Sequence, residues 1–97
     1  MPIAKSLSEE IIELWKNEFS AVEREFNGQS CFQIGALFIR LDTYPAIDEG
    51  KIYCIEAANE HEAANDIFED AWKYWDGDGA DTILQKMRDD LRAELDE

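Results

Sequence analysis

A strongly apolar and β-prone segment occupies residues 31–41, which read CFQIGALFIRL. Apolar side chains stand at both odd and even positions, a pattern typical of a strand that is buried on both faces or partly so. A second run at residues 51–58, KIYCIEAA, predicts another strand. Between them, DTYPAIDEG at residues 42–50 contains a proline and an Asp-Glu-Gly turn, which predicts a connection with a short third strand around residues 44–47. We therefore expect a small antiparallel sheet of two to three strands.

A long helix is predicted before this sheet. Ser6 followed by Glu9 is a capping-box start. Apolar residues then recur at spacings of three and four as far as Phe26. Asn27-Gly28 supplies a stop, because glycine tolerates the left-handed conformation that follows many helices.

Two further helices are predicted after the second strand. Asn59 with Glu62 repeats the capping pattern, and apolar residues share one helical face as far as Trp75. The run DGDG at residues 76–79 breaks this helix, and a last helix begins near Asp81. The predicted fold class is α+β, in a single domain of residues 1–97: a long N-terminal helix, a small antiparallel sheet of two to three strands and two C-terminal helices.

The chain carries a large excess of negative charge. It has 23 Asp and Glu against 9 Lys and Arg, a formal net charge of −14 over 97 residues. Since 45% of the residues are hydrophobic, the chain is not a disordered acidic tail. Residues 1–55 hold 9 acidic and 5 basic residues, a net charge of −4, whereas residues 56–97 hold 14 and 4, a net charge of −10. Such acidity disfavours binding to nucleic acid or anionic membrane and favours a basic partner.

The predicted helix over residues 59–75 places four acidic residues opposite its apolar stripe: Glu62, Asp66, Glu69 and Asp70. Like charges four residues apart cost a few tenths of a kcal/mol each, so a helix optimised for stability alone would alternate signs. A merely soluble helix face is the alternative interpretation. More acids continue the surface: Asp76, Asp78, Asp81, Asp89, Asp90, Glu94, Asp96 and Glu97. Two such helices side by side would loosely imitate the charge of a nucleic-acid backbone.

Aromatic residues beside these acids are candidate anchors for a partner. Tyr74 is predicted on the outer shoulder of the helix and Tyr44 in a loop, whereas Trp75 is assigned to the core face. The predicted partner-binding residues are Glu62, Asp66, Glu69, Asp70, Tyr74, Asp76, Asp78, Asp89 and Asp90.

Motifs for metal binding are incomplete in this chain. The run at residues 76–81 begins like a calcium-binding EF-hand loop, with acids at alternate positions. It has Ala80 at the fifth position, Asp81 where glycine is needed, and Met87 where a bidentate glutamate belongs. His61 is the single histidine, so no second His completes a zinc site. We expect no metal and no cofactor.

No catalytic arrangement is recognisable either. Cys31 and Cys54 lie inside apolar runs without CxxC spacing, which predicts buried free thiols and leaves a disulfide as the alternative. Neither cysteine has the electropositive surroundings that activate a thiol toward a nucleophile pair with His61. Enzyme activity is not expected.

The N-terminal sequence MPIAKSLSEE has no apolar signal-peptide core. No part of the chain approaches the ~20 apolar residues that a membrane span needs. These features predict a cytoplasmic protein.

With four acids on one helix face, the DGDG break and the acidic end RDDLRAELDE, the chain resembles the small acidic anti-CRISPR proteins of phages and mobile elements. In length and layout it is similar to the DNA-mimicking inhibitors of the type I-F surveillance complex. The resemblance implies a protein without catalysis of its own, inside the host bacterial cell. Its partners would be the basic, DNA-binding Cas subunits of a type I surveillance complex, whose DNA site it would occupy, with no direct binding to nucleic acid or membrane.

Two other interpretations remain open from the residues. An immunity protein could neutralise a cationic nuclease toxin with the same acidic surface. A plain adaptor or structural protein could carry its acidity for solubility alone.

Overall fold

Five strands form one antiparallel sheet in the computed structural model, which describes residues 6–96. The elements in chain order are α1 (Leu7–Glu18), β1 (Val22–Phe26), β2 (Gln29–Ile34), β3 (Leu37–Pro45), β4 (Lys51–Ala58), α2 (Glu60–Ala64), β5 (Glu69–Trp75), a 3₁₀ turn (Asp76–Asp78) and α3 (Ala80–Leu95). The strands lie in the order β1-β2-β3-β4-β5, so each strand pairs with its neighbours in sequence. The chain is α+β, but the predicted sheet of two to three strands is wrong.

The N-terminal helix is shorter than predicted. It begins after Ser6, whose hydroxyl accepts a hydrogen bond from the backbone N–H of Glu9 at 3.2 Å, as the capping pattern indicated. It ends at Glu18, and Ser20 then takes a left-handed φ of 54°. A left-handed residue interrupts the helical hydrogen bonds, so the following segment takes another conformation.

The first additional strand is β1. Val22 and Phe26 are four residues apart, and this spacing puts two side chains on one face of a strand as well as on one face of a helix. Asn27 and Gly28 have φ values of 54° and 82° and turn β1 into β2 as a hairpin, instead of ending a helix. Asn-Gly is the preferred pair for this turn, because both central residues need positive φ.

The predicted helix over residues 59–75 is also wrong. α2 starts with the predicted capping box, since Glu62 and Asn59 exchange side chain to backbone hydrogen bonds. It has only 5 residues, and Asp66 then adopts a left-handed φ of 56°. The rest of the segment is β5, where Trp72 and Tyr74 alternate with outward residues and pack on the core. Pairing with β4 satisfies the backbone of this segment, and periodicity along the chain does not reveal that pairing.

The single strand predicted over residues 31–41 is wrong, because a turn at Gly35, with φ of 60°, divides it between β2 and β3, which pair as a hairpin. The later elements agree better with the prediction. β4 spans Lys51–Ala58, the predicted residues, whereas the expected third strand around residues 44–47 is the end of the longer strand β3. The glycine-rich break is the 3₁₀ turn, and the last helix follows at Ala80.

The main core lies between one face of the sheet and the two long helices. Its fully buried residues come from α1, the central strands and α3: Ile11, Trp15, Ile39, Ile55, Ile83, Met87 and Leu91. The apolar stripes of α1 and α3 therefore both cover the same face of the sheet.

The opposite face of the sheet, called the open face below, is covered at one end only. A second buried cluster there contains Cys31, Phe38, Ala58 and Ala63, the last of which belongs to α2. The Asn27 side chain donates a hydrogen bond to the Ala64 carbonyl at 3.1 Å and holds the β1–β2 turn against α2. Cys31 and Cys54 are both buried and free, as predicted.

An ion pair joins the outer sides of the two long helices. Arg88 on α3 donates two hydrogen bonds to the Glu18 carboxylate on α1, one of them 3.0 Å long from Nη2 to Oε1. The hydrogen bond from Arg88 holds the pKa of Glu18 below its ordinary value. A carboxylate with a lowered pKa stabilises the folded state above its unfolded pKa and loses that contribution as the pH falls through its folded pKa.

We therefore expect Glu18→Gln to lower the free energy of unfolding at pH 7, and the loss to shrink as the pH falls below ~4.3, the ordinary glutamate value. Urea unfolding at several pH values measures this difference. Glu25→Gln is the control, because Glu25 is exposed on β1 and forms no ion pair within residues 6–96. A loss for Glu18→Gln that is independent of pH would contradict the assignment.

Candidate protein-binding surface

The four acids predicted on one helix face lie on three different elements. Glu62 is in α2, Asp66 is in the turn that follows, and Glu69 and Asp70 begin β5. They do not form the regular row of carboxylates that a helix over residues 59–75 would present. The predicted spacing of a DNA-like charge pattern is therefore absent.

Several of these acids are occupied by local contacts. Glu62 accepts a hydrogen bond from the backbone N–H of Asn59 at 3.0 Å as part of the capping box. Asp66 pairs with Arg40 at 2.8 Å, and Arg40 also binds Glu56 at 2.9 Å. A carboxylate that is already bound to an arginine attracts a basic partner less strongly, because its charge and its acceptor sites are occupied.

Asp70 and the acids of α3 also have partners within the chain. Asp70 Oδ2 lies 3.5 Å from Lys73 Nζ. On α3, Asp89 accepts a hydrogen bond from Gln85 at 3.0 Å. The basic residues Lys86, Arg88 and Arg92 lie on the same helix, so the surface of α3 carries mixed charge.

Tyr74 is not a surface anchor. It is buried with 6% of its surface exposed, and its hydroxyl donates a hydrogen bond to Asp90 Oδ2 at 2.5 Å. The contact joins β5 to α3, so both predicted site residues have a structural role. Burial, and then the hydrogen bond to Asp90, raise the pKa of Tyr74 above its ordinary value.

The neighbouring Trp75 takes the exposed position instead. In a strand, successive side chains point to opposite faces, so the inward Tyr74 sends Trp75 to the open face. Trp75 is 45% exposed. Its assignment to the core was wrong because it assumed helical periodicity over residues 59–75.

Three cross-strand rows lie side by side on the open face beyond α2. The row nearest the β3–β4 loop, called the apolar row below, consists of Tyr44, Ile52 and Trp75. The other two rows contain polar and charged residues: Asp42, Cys54 and Lys73, then Arg40, Glu56 and Asp70. The uncovered part of the open face therefore divides into an apolar strip and a largely charge-compensated strip.

The Trp75 ring is held from two sides. Its indole Nε1 donates a hydrogen bond to the Glu49 carbonyl at 2.9 Å, in the β3–β4 loop. On the other side is Gly77, where a Cβ atom would lie 2.3 Å from the ring. Glycine is therefore needed at residue 77 for the 3₁₀ turn to pack against the indole.

Five carboxylates belong to the β3–β4 loop, the 3₁₀ turn and the first turn of α3, a region called the acidic end below: Asp48, Glu49, Asp76, Asp78 and Asp81. The loop and the 3₁₀ turn are in contact, since a Cβ at Gly50 would lie 2.0 Å from Asp76 Oδ1. Within residues 6–96, Asp78 alone among the five has an ion pair, to Lys86 at 3.8 Å. Lys51, the first residue of β4, is a base in the same loop region, so the acidic end has five acids against Lys51 and Lys86 and keeps an excess of negative charge.

Sequence reasoning included Asp76 and Asp78 in the site but missed Asp48 and Glu49. β4 pairs with both β3 and β5, and this brings the β3–β4 loop next to the 3₁₀ turn that follows β5. The available signal in the sequence was Ile47 directly before two acids in a turn, since a large apolar residue in an acidic loop is unusual for a purely solvated connection.

Three observations on the described part of the chain concern metal ligands, a thiol and membrane spans. No group of three or more His, Cys, Asp or Glu side chains within residues 6–96 is placed to hold a metal ion. Burial, together with a hydrogen bond to Asp70, raises the pKa of the Cys54 thiol to about 11, which leaves almost no thiolate at neutral pH. None of the helices in residues 6–96 combines the length and apolarity that crossing a membrane requires.

Comparison of the chain with protein-family models, curated proteins and solved structures finds no match.

Proposed function

We propose that this protein is a non-catalytic inhibitor that binds a basic, nucleic-acid-binding surface of another protein through its acidic end. The observation that carries the proposal is an exposed Trp75 whose indole is fixed to the loop that carries Asp48 and Glu49, with Asp76 next to that loop. An aromatic anchor that is already ordered in the free protein loses little conformational entropy on binding. This combination favours a specific protein interface over acidity that serves solubility alone.

Charge and anchor have separate roles in such an inhibitor. The carboxylates attract a positively charged surface over a distance and speed the encounter, an effect that salt screens. The indole then buries apolar area in the contact and slows dissociation. Affinity should therefore fall as the ionic strength rises without disappearing.

The proposed partners are the basic, DNA-binding Cas subunits of a type I CRISPR surveillance complex, in keeping with the resemblance to anti-CRISPR inhibitors of the DNA-mimic type. Carboxylates of the acidic end would occupy the positions of phosphate groups. Target duplex DNA would then be excluded by competition. Mimicry of this kind depends on a local cluster at one end of the molecule, since the acids do not follow a helical row.

A second candidate partner is a cationic nuclease toxin, for which the protein would serve as an immunity protein. The apolar row favours this candidate, because a DNA backbone has no counterpart to an exposed indole, whereas an active-site cleft can receive one. Both candidates use the same acidic end and predict the same sensitive residues.

The test is a charge reversal with a matched control. Asp48→Lys with Glu49→Lys reverses two exposed loop acids and leaves the Glu49 carbonyl that holds Trp75. Glu23→Lys with Glu25→Lys makes the same charge change on the exposed edge strand β1. The assay measures how much protein is needed to inhibit target-DNA binding by a purified type I surveillance complex. We expect the loop variant to need at least about tenfold more protein than the native chain, and the β1 variant to need about the same amount.

Equal loss in both variants would mean that bulk charge is responsible. Undiminished inhibition by the loop variant would exclude the acidic end as the interface. If the native protein does not inhibit the surveillance complex but blocks a cationic nuclease in the parallel assay, the second candidate replaces the first.

A further inference from the structure

An apolar groove lies within the acidic end. It has a volume of about 490 Å³ and is formed by the apolar row together with the β3–β4 loop, chiefly Tyr44, Ile47, Ile52 and Trp75. A volume of this size is in the range of small-ligand sites and can receive one or two side chains. Ile47 is fully exposed at its edge.

The groove exists before any partner binds. Gly50 closes the loop with φ of 85°, and the Ala46 N–H donates to its carbonyl at 3.0 Å. The hydrogen bond from Trp75 to Glu49 fixes the indole wall against the same loop. A preformed groove avoids the cost of ordering a loop when a ligand enters.

The fold offers no cover for this groove among the described residues. α2 covers the far end of the open face, and the helices α1 and α3 lie on the other face. Large apolar side chains that face solvent together mark interaction sites more often than isolated ones do. Ile47 and Trp75 are two of the five exposed large hydrophobic residues in the described part of the chain.

The charge at the rim restricts what can enter. Asp48 and Glu49 line the groove, and Asp76 lies beside it at Gly50. On the inner side, Lys73 Nζ lies 3.5 Å from Asp70 Oδ2 and is paired there. Lys51 directly follows Gly50, so the three rim carboxylates exceed the one base of the loop region and the rim stays negative. A ligand that fills the groove must therefore be apolar at its centre and positive around it.

We infer that the groove binds a single apolar side chain of the partner, such as leucine, which lysine or arginine residues flank on both sides. The inference rests on the proposed function and adds the element of the partner that is recognised. Leucine fills the space between Trp75 and Ile47, and the flanking basic residues pair with Asp48 and Glu49. Nucleic-acid-binding surfaces rich in lysine and arginine with an exposed apolar residue among them meet this requirement.

Short peptides test the inference without the partner. The probe is acetyl-Lys-Arg-Leu-Arg-Lys-amide, with serine in place of leucine as the first control and glutamate in place of every basic residue as the second. Binding is followed by the NMR signal of the Trp75 indole N–H, which is assigned from the spectrum of Trp75→Phe. We expect the leucine peptide to shift this signal and to bind about tenfold more tightly than the serine peptide, with no shift for the acidic peptide.

A pair of variants tests whether the peptide binds in the groove and not elsewhere on the surface. Ile47→Ser removes a fully exposed groove residue, and Ile67→Ser removes an exposed isoleucine outside the groove, with 51% of its surface exposed. Only Ile47→Ser should weaken the leucine peptide. Equal binding of the leucine and serine peptides, no shift of the Trp75 signal, or equal effects of both variants would overturn the groove assignment.

The groove and the inhibitory function can fail separately. If the loop charge reversal abolishes inhibition while Ile47→Ser leaves peptide binding intact, the proposed function stands and the groove inference is wrong. If the leucine peptide binds at Trp75 as expected while the charge reversal leaves inhibition intact, the groove stands and the proposed inhibitory role of the acidic end is wrong.

Discussion

Trp15→Ala is expected to lower the free energy of unfolding by about 3–5 kcal/mol, the range for truncating a buried aromatic side chain. Trp15 is fully buried in the main core, where its ring meets Phe32 edge to face with 5.6 Å between ring centroids. The substitution would leave a cavity between α1 and the sheet that neighbouring side chains fill only in part. Because small domains are stable by only about 5–15 kcal/mol, this loss removes a substantial share of the total stability and should move the urea midpoint far below that of the native protein.

Trp15→Phe should cost much less. The indole Nε1 of Trp15 is buried with no hydrogen-bond partner among the residues that the structure describes. An unsatisfied buried donor costs about 1–3 kcal/mol, so its removal offsets part of the apolar area lost with the smaller ring. Urea unfolding with a two-state fit measures both variants.

Trp75→Ala serves as the matched control for the same chemical change on the open face, with a smaller expected loss, because Trp75 is 45% exposed and gives up one exposed hydrogen bond and only part of the apolar area that Trp15 buries. A loss in Trp15→Phe as large as in Trp15→Ala would contradict the account of the buried N–H. A larger loss in Trp75→Ala than in Trp15→Ala would reverse the assignment of the two tryptophans to core and surface.

The second large effect is expected at Tyr74. Tyr74→Ala should cost about 3 kcal/mol or more, because it removes a buried ring that connects β5 with the main core. Tyr74→Phe keeps the ring and removes the hydrogen bond to Asp90, which should cost about 1.5–3 kcal/mol for a bond to a charged acceptor. Thermal and urea unfolding separate the two contributions.

The alkaline pH dependence gives an independent check. The pKa of Tyr74 is raised in the folded protein, so the folded state keeps this proton more tightly than the unfolded state. The corresponding stability is present below the unfolded pKa of ~10 and is lost as the pH rises through the folded pKa. As the pH rises above ~10, the free energy of unfolding of the native protein should therefore fall more than that of Tyr74→Phe.

An anchor residue would behave in the opposite way. If Tyr74→Ala kept native stability and lost only partner binding, the structural role assigned to Tyr74 would be wrong. Inhibition by Tyr74→Phe, measured where the variant is folded, should match that of the native protein.

Local hydrogen-bond patterns were predicted well from the sequence. Ser6 and Asn59 start their helices as the capping patterns indicated. These predictions succeeded because the donor and the acceptor lie within four residues of each other. β4 was also correct, because its β-branched and aromatic residues Ile52, Tyr53 and Ile55 favour a strand.

Predictions that depended on distant partners failed. The segments of β1 and β5 contain apolar residues four apart, which fit one face of a helix and one face of a strand equally well. What decides between them is the hydrogen bonding of β5 to β4 and of β1 to β2. The pair Asn27-Gly28 was assigned to a helix end, although it is a stronger indicator of a hairpin.

The candidate site depended on the same error. Reading β5 as a helix placed Tyr74 outside and Trp75 inside, and the two-residue period of a strand exchanges them. The same error put four acids on one helical face: Glu62, Asp66, Glu69 and Asp70. In the structure they lie on different elements, and Asp66 forms an ion pair with Arg40. The wrong secondary structure for residues 59–75 therefore led directly to wrong positions for these candidate site residues.

The sequence by itself determined that this protein is acidic, folded and α+β, because charge, apolar content and caps are properties of single residues and their near neighbours. It did not determine where the charge is concentrated. Only the tertiary structure brought Asp48 and Glu49 beside Trp75 and Asp76, since strand pairing joins segments that lie far apart along the chain. The acidic end and its apolar groove exist because β4 has a partner on each side.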